Sequence, residues 1–326
     1  MNIPPAQSPV ARPLRTAVIG VGYLGRFHAQ KYAASPVAEL VGVVDASRER
    51  GEEVAAELGC AFYPRFEDLP GPVDAVSIVV PTQRHYETAR AVLEAGSHVL
   101  LEKPMTTTVA EAAELIDIAR RRQRVLQIGH LERFNPAILA LDGVLRDPLF
   151  IESHRVAPFN PRGADVNVVL DLMIHDIDII LDIVGSEVAH MDVSGVPVIS
   201  DDIDIANARL RFENGCIANV TASRAGMKSE RKMRIFQHDA YLSVDFQNRK
   251  LGIHRKGNGT DEHGIARIDS SEQSFEAGDA LRAEIDAFLA AILEGTPPVV
   301  SGEDGMNALK AAIEITERLR DVRPAG

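Results

Sequence analysis

Cysteine is nearly absent from this chain: among 326 residues there are two, Cys60 and Cys216. Two thiols supply neither a disulfide framework nor the paired spacings of a cysteine metal site. Long apolar runs are missing too, and no stretch approaches the roughly 20 residues that span a bilayer. Excess positive charge is also lacking. Asp and Glu number 47 against 35 Lys and Arg, a formal net charge of −12. That sign argues against nonspecific binding to nucleic acid or to an anionic membrane. No internal repeat is present. Residues 1–13 contain four prolines and no apolar core, so they read as a disordered leader rather than a signal peptide, and cytoplasm is the expected compartment. The remaining composition, 45% hydrophobic and 25% charged, is that of an ordinary soluble chain long enough for two domains.

What is present begins with glycine. Gly20-Val21-Gly22-Tyr23-Leu24-Gly25 lies between a short apolar run, Leu14 to Ile19, and a helical stretch, Phe27 to Ala34. At such a strand-to-helix junction the backbone N–H groups and the helix dipole hold a pyrophosphate, and glycines allow its close approach. A second apolar run, Leu40 to Val44, ends at Asp45, twenty positions beyond Gly25. This is the spacing of a ribose-binding acid. A carboxylate there accepts from a 2′-hydroxyl and repels a 2′-phosphate, favouring NAD over NADP. Ser47 and Arg48 follow directly and are candidates for contact with the same end of the cofactor, where they could equally bind the 2′-phosphate of NADP.

Strands at 74–80, 98–101 and 125–128 alternate with helices at 84–95 and 109–122, which predicts a parallel, doubly wound sheet. After Gly129 the pattern changes. A helix over 168–184 precedes strands at 203–212, 216–222, 231–237 and 241–246. The first two flank Glu213-Asn214-Gly215, a hairpin turn. A mostly antiparallel open sheet is expected here, and its alternating apolar faces need cover on both sides, so a homodimer or homotetramer is expected. Residues 257–274 read as a loop. Amphipathic helices at 280–293 and 304–320 close the chain, separated by Gly295-Thr296-Pro297-Pro298.

Four segments together resemble the Gfo/Idh/MocA oxidoreductase family: the glycine turn, Val80-Pro81-Thr82-Gln83-Arg84-His85, Glu102-Lys103-Pro104, and Asp171-Leu172-Met173-Ile174-His175. The resemblance covers nearly the whole chain. It implies an α/β protein with an NAD-binding Rossmann domain at 14–131 and an α+β substrate and oligomerisation domain at 132–280. Helices at 281–322 would pack back toward the first domain. It further implies that Lys103 and His175 are catalytic, with Asp171 as substrate ligand or partner of the histidine. Pro81, Thr82, His85 and Glu102 would join Gly20, Gly22, Tyr23, Leu24, Gly25, Asp45, Ser47, Arg48 and Lys103 at the cofactor. The chain departs from the family pattern at Val80, where threonine is common, and at Met173, where glycine is common.

Elementary chemistry agrees with that pairing. Oxidising an alcohol removes a proton from oxygen while hydride leaves carbon, so a base and an alkoxide-stabilising group must converge. Lys103 follows a strand at the carboxyl edge of the sheet, and Pro104 restricts its backbone. The reference pKa of histidine, about 6.5, would suit His175 to accept a proton, and Asp171 and Asp178 lie on its helical face. No metal is expected. The string Gly129-His130-Leu131-Glu132-Arg133-Phe134-Asn135-Pro136 resembles the nucleotide-sugar branch of the family. It implies a UDP-sugar oxidised at C3, a downstream aminotransferase, and a 3-amino sugar for lipid A. Arg133, Arg155 and Arg162 are the expected phosphate ligands, while Arg224, Lys228, Arg231 and Lys232 add positive charge nearby in sequence. A dehydrogenase of a free polyol or aldose such as inositol, and a non-catalytic NAD- and sugar-sensing regulator, are the alternatives.

Overall fold

A computed structural model describes residues 12–159, 166–260, 263–264 and 266–321; most of the proline-rich leader lies outside them. The chain forms two compact units. Residues up to 102, with 114–127 and 281–299, make the first; 103–113, 128–280 and those from 300 onward make the second.

In the first unit, β1 (Leu14–Ile19), α1 (Tyr23–Ala33), β2 (Ala38–Val44), α2 (Arg48–Leu58), β3 (Ala61–Tyr63), β4 (Ala75–Ile78), α3 (His85–Glu94), β5 (His98–Glu102), α4 (Val109–Arg122) and β6 (Leu126–Gly129) follow in order, with residues 109–113 of α4 and 128–129 of β6 counted to the second. The sheet order is β3-β2-β1-β4-β5-β6, with β1 parallel to both β2 and β4. Reversal of strand order at β1/β4 leaves a crevice at the carboxyl ends of the strands, the usual ligand position in such sheets. Central strands are largely apolar, as layers covered on both faces require, and every residue of β4 is buried, Ser77 included.

The second unit continues with a single turn, α5 (Pro136–Leu139), then β7 (Phe150–Val156), α6 (Ile174–Val184), β8 (Val188–Val196), β9 (Ile205–Phe212), β10 (Ile217–Ser223), β11 (Glu230–Phe236), β12 (Ala240–Asp245), β13 (Lys250–Thr260) and β14 (Ala266–Ser274). Its eight-stranded sheet runs β14-β13-β12-β11-β7-β10-β9-β8 and is antiparallel except where β7 pairs with β10. Strands β9 and β10 are joined at the Asn-Gly turn. Strands β7 and β8 were not foreseen, since neither carries a turn signal as strong. The loop expected at 257–274 is largely a β-ribbon: β13 and β14 pair antiparallel from Lys250↔Ser274 to Thr260↔Ala266. Its residues are mostly exposed, so no apolar alternation marked it in the sequence.

The C-terminal helices divide between the units, with α7 (Ala280–Glu294) almost wholly in the first and α8 (Gly302–Asp321) in the second, where it contacts α6 and β8. No helix among the described residues is long and apolar enough to cross a membrane.

Candidate active site

The glycine turn follows β1 directly. Gly20 has φ +85°, and a Cβ there would lie 2.4 Å from the Val79 carbonyl oxygen. A Cβ on Gly25 would lie 1.8 Å from the Gly20 oxygen, so only glycine lets α1 start against the turn. The first turn of α1 contains no acid, leaving its N–H groups and dipole to an anion. Asp45 stands beside this cradle: its carboxylate accepts from the Val21 and Ser47 backbone N–H groups, each at 2.8 Å. Arg50, which sequence reasoning missed, donates to the Val21 carbonyl at 2.9 Å and braces the turn from α2. Gly20, Gly22, Asp45, Pro81 and Arg84 help line a cleft of about 620 Å³. A dinucleotide fits this arrangement: a backbone cradle in which Gly20 and Gly25 admit no side chain and Gly22 opens to free space, with one carboxylate at its edge.

Other expected cofactor residues occupy varied positions. Ser47 caps α2, and Arg48 pairs with Glu52 at 2.7 Å while lying over the Phe62 ring. Tyr23 is exposed and meets Phe27 edge to face, and Leu24 is partly buried in α1. Thr82 opens the 3-10 turn 82–84. His85 is buried, and its Nε2 donates to the Val80 carbonyl at 2.8 Å, holding the turn that carries Pro81 and Thr82. Glu102 accepts from His28 Nε2 at 3.2 Å.

In the second unit Lys103 and the helix leading to α6 meet. Residues Val169–Met173 form a π turn in which the Ile174 N–H bonds to the Val169 carbonyl. This widened turn redirects carbonyls from the regular i→i+4 pattern, a feature frequent at functional sites. Lys103 Nζ donates to the Asp171 carbonyl at 2.9 Å and lies 3.5 Å from its Oδ1. Asn167 Oδ1 caps the segment by accepting from the Val169 and Leu170 N–H groups. His175 follows in the first turn of α6, edge to face with His130 at 6.5 Å between ring centres. Its Nδ1 is buried without a hydrogen-bond partner among the described residues. Burial, then the positive charges of Lys103 and Arg155 and the neighbouring His130 and Arg231, hold its pKa well below the ordinary histidine value. The imidazole is therefore neutral at neutral pH and able to accept a proton.

Behind it lies a buried ionic lattice. Arg155, 2% exposed, donates to Asp176 at 2.6 and 3.3 Å and to Glu132 at 2.8 Å; Ser153 Oγ also donates to Asp176 at 2.8 Å. Arg133 donates to Asp178 at 2.8 Å and pairs with Asp182, while His130 Nδ1 is 3.8 Å from Asp178. These contacts bear on two expectations. Arg133 and Arg155 hold acids rather than presenting free forks to a phosphate, and Asp178 faces Arg133. Arg162 lies outside the described residues. Arg224, too, is buried, on Asp204 at 2.8 Å. His130, Glu132 and Asp176 were passed over by sequence reasoning. Asp176 and Asp178, set among the apolar residues of 174–184, were the available signal, because buried carboxylates require cations.

Comparison with known proteins follows this geometry. Residues 14–130 match the model of the GFO_IDH_MocA oxidoreductase family, NAD-binding Rossmann fold, and residues 142–243 match the GFO/IDH/MocA C-terminal domain. The chain is 45% identical over 303 residues to UDP-N-acetylglucosamine 3-dehydrogenase of Acidithiobacillus ferrooxidans, covering 93% of this chain and 96% of that protein. A solved structure of that enzyme superposes with a TM-score of 0.90 at 44% identity, over 94% of this chain and 98% of the other. Scyllo-inositol 2-dehydrogenase (NAD(+)) of Bacillus subtilis is 27% identical, with 95% of each chain covered. With its Rossmann cradle, the acid beside it and matches through both units, this chain belongs to the Gfo/Idh/MocA family and is an NAD-dependent dehydrogenase.

Proposed function

We propose that the protein oxidises the C3 hydroxyl of UDP-N-acetylglucosamine to the 3-keto sugar. The observation that carries this is the 45% identity, over nearly all of both chains, to a dehydrogenase of that substrate. NAD, when bound, accepts the hydride. The Gly20 to Gly25 turn would hold its pyrophosphate and Asp45 its adenosine ribose. Neutral His175 takes the hydroxyl proton, and the Lys103 ammonium, already directed by the Asp171 carbonyl, donates to the developing alkoxide. Asp171, 40% exposed, is left to accept from a sugar hydroxyl. A 3-keto product suits an aminotransferase, and a 3-amino sugar for lipid A is the corresponding use.

A nucleotide diphosphate, rather than a free polyol, is favoured by a cavity of about 380 Å³ lined by Glu132, Asn135, Ser229, Arg231, Phe246 and Arg249. Arg231 is 46% exposed, lies 3.4 Å from Glu132 and contributes to the positive field at His175. Arg249 has a buried Nε without a hydrogen-bond partner among the described residues. Arg231, with only a long contact to Glu132, and Arg249 suit a diphosphate better than the buried and closely paired Arg133 and Arg155. NADH absorbance should rise when purified protein meets NAD and UDP-N-acetylglucosamine, with an aminotransferase removing the ketone. Arg249→Gln should raise KM for the UDP-sugar about tenfold, the loss of a charged hydrogen bond, and weaken inhibition by UDP in parallel. Turnover of free inositol but not of the UDP-sugar would move the substrate to the polyol class; unchanged KM in the variant would remove the cavity from the reading.

The open face of the eight-stranded sheet supports self-association. Phe150, Phe236, Tyr241 and His254 form a cross-strand ladder with ring centres 5.0 to 6.0 Å apart. An aromatic stripe on a sheet face is the kind of surface a second copy covers. Sedimentation should give a homodimer or homotetramer, and Tyr241→Glu should shift it toward monomer; a monomeric wild-type species at micromolar concentration would reject this assembly.

A further inference from the structure

The interior of the first unit contains a polar chain that the proposed mechanism does not use. Tyr32 Oη and Ser77 Oγ are 2.8 Å apart, Ser77 Oγ is 3.1 Å from His28 Nδ1, and His28 Nε2 is 3.2 Å from Glu102 Oε1. Glu284 projects from α7 into the same place. It is 0% exposed, and neither carboxylate oxygen has a hydrogen-bond partner among the described residues. Its ligand atom, that of Glu102 and that of His28 all lie within 4.8 Å of one another. Gln127 Nε2 donates at 3.1 Å to the backbone carbonyl of Glu284, which fixes the main chain and leaves the carboxyl unanswered.

An ionised carboxylate so placed, beside a second carboxylate and without a donor, is untenable: burial penalises its charge and Glu102 repels it. Either a proton or a cation must neutralise it. The geometry of His28 decides between them. Glu102 faces Nε2, and an ionised carboxylate can only accept, so Nε2 carries the hydrogen. Nδ1 is engaged with Ser77. Neither nitrogen has a lone pair to offer a metal without dismantling a hydrogen bond, and two carboxylates alone make a poor buried site.

We propose that Glu284 is a neutral carboxylic acid whose proton, after a side-chain rotation across the 4.8 Å or less that separates the groups, is donated to Glu102, and that Glu284 and His28 together position Glu102 and, through the next peptide bond, Lys103. The inference about Lys103 rests on the catalytic role proposed for that residue. Burial first, and the negative charge of Glu102 second, raise the pKa of Glu284 well above the carboxylate range. The remaining titratable group in this chain, Tyr32, is kept neutral by burial. Glu284 is thus a positioning residue, whose hydrogen-bond donor, not its charge, matters.

Two variants separate donor from charge. Glu284→Gln keeps a donor toward Glu102; Glu284→Met keeps the volume and removes it. Expected are a melting temperature and kcat for Glu284→Gln close to wild type, and for Glu284→Met a fall in kcat of about tenfold, one lost hydrogen bond, with KM for NAD unchanged. Infrared difference spectra at neutral pH should show a carboxylic-acid C=O band that shifts in D₂O and disappears in Glu284→Gln. Metal analysis of wild-type protein should find no stoichiometric ion. The proposal is overturned by Glu284→Gln being as impaired as Glu284→Met, by absence of the acid band, or by a bound metal that Glu284→Gln loses. Spectra, melting and metal analysis require no substrate. Should the UDP-sugar fail to react while the acid band is present, the functional reading fails and the shared proton stands.

Discussion

Lys103→Ala should lower kcat for UDP-N-acetylglucosamine oxidation by about a thousandfold, the upper range for loss of one group aimed at a developing oxyanion, with NAD affinity little changed. Lys103 Nζ donates to the Asp171 carbonyl at 2.9 Å, so in the proposed reaction the lysine needs no rearrangement before it meets the alkoxide. The same substitution has a second, signed consequence. His175 is held below its ordinary pKa first by burial and next by the Lys103 charge. Removing that charge lets the pKa rise, because a neighbouring cation no longer opposes protonation. A base must be neutral to act, so activity is lost as pH falls through the pKa of His175, and residual activity in Lys103→Ala should fail at a higher pH than wild type. Steady-state rates across pH test both parts. A loss below tenfold would place Lys103 outside the chemistry; an acidic limb that does not move would place His175 outside the base role.

Much of this arrangement was readable in the sequence because local rules and tertiary context agree there. Glycines packed as tightly as Gly20 and Gly25 leave a spacing that a reader can see, and Asp45 lies where the next strand ends. The Asn-Gly hairpin between β9 and β10 is equally local. The strand β7 was harder, since it borrows its place from β10 on one side and β11 on the other, both far along the chain. The π turn has no compositional mark at all. Asp171 and His175 were expected one α-helical turn apart on a single face, yet the wider turn makes the carbonyl of Asp171, rather than its face alone, the contact that Lys103 finds. Arginine gave the most misleading signal. A guanidinium suits a phosphate and a buried carboxylate equally well, and only the fold reveals that Asp176 and Asp178 had already claimed Arg155 and Arg133.

That claim has a thermodynamic consequence. Arg155→Met should destabilise the protein by about 3 to 5 kcal/mol, the usual cost of removing one member of a buried ion pair, lowering the melting temperature by roughly 10 °C. Asp176 is 1% exposed, and with Arg155 gone only the Ser153 hydroxyl remains among its side-chain donors described here. Its carboxylate would then bind a proton more tightly in the folded state than in the unfolded one. Stability contributed by a raised carboxylate pKa is present at low pH and lost as pH rises, so the deficit relative to wild type should shrink on acidification. Neutralising the orphan directly, in Arg155→Met with Asp176→Asn, should recover part of the loss for the same reason, whereas Asp176→Asn alone leaves a buried guanidinium with Glu132 and should itself destabilise. Melting curves of the three variants at two pH values distinguish these terms. Additive losses in the double variant, or a deficit independent of pH, would mean that Arg155 acts by packing over Phe246 and that His175 is held in place by shape rather than by the charges behind it.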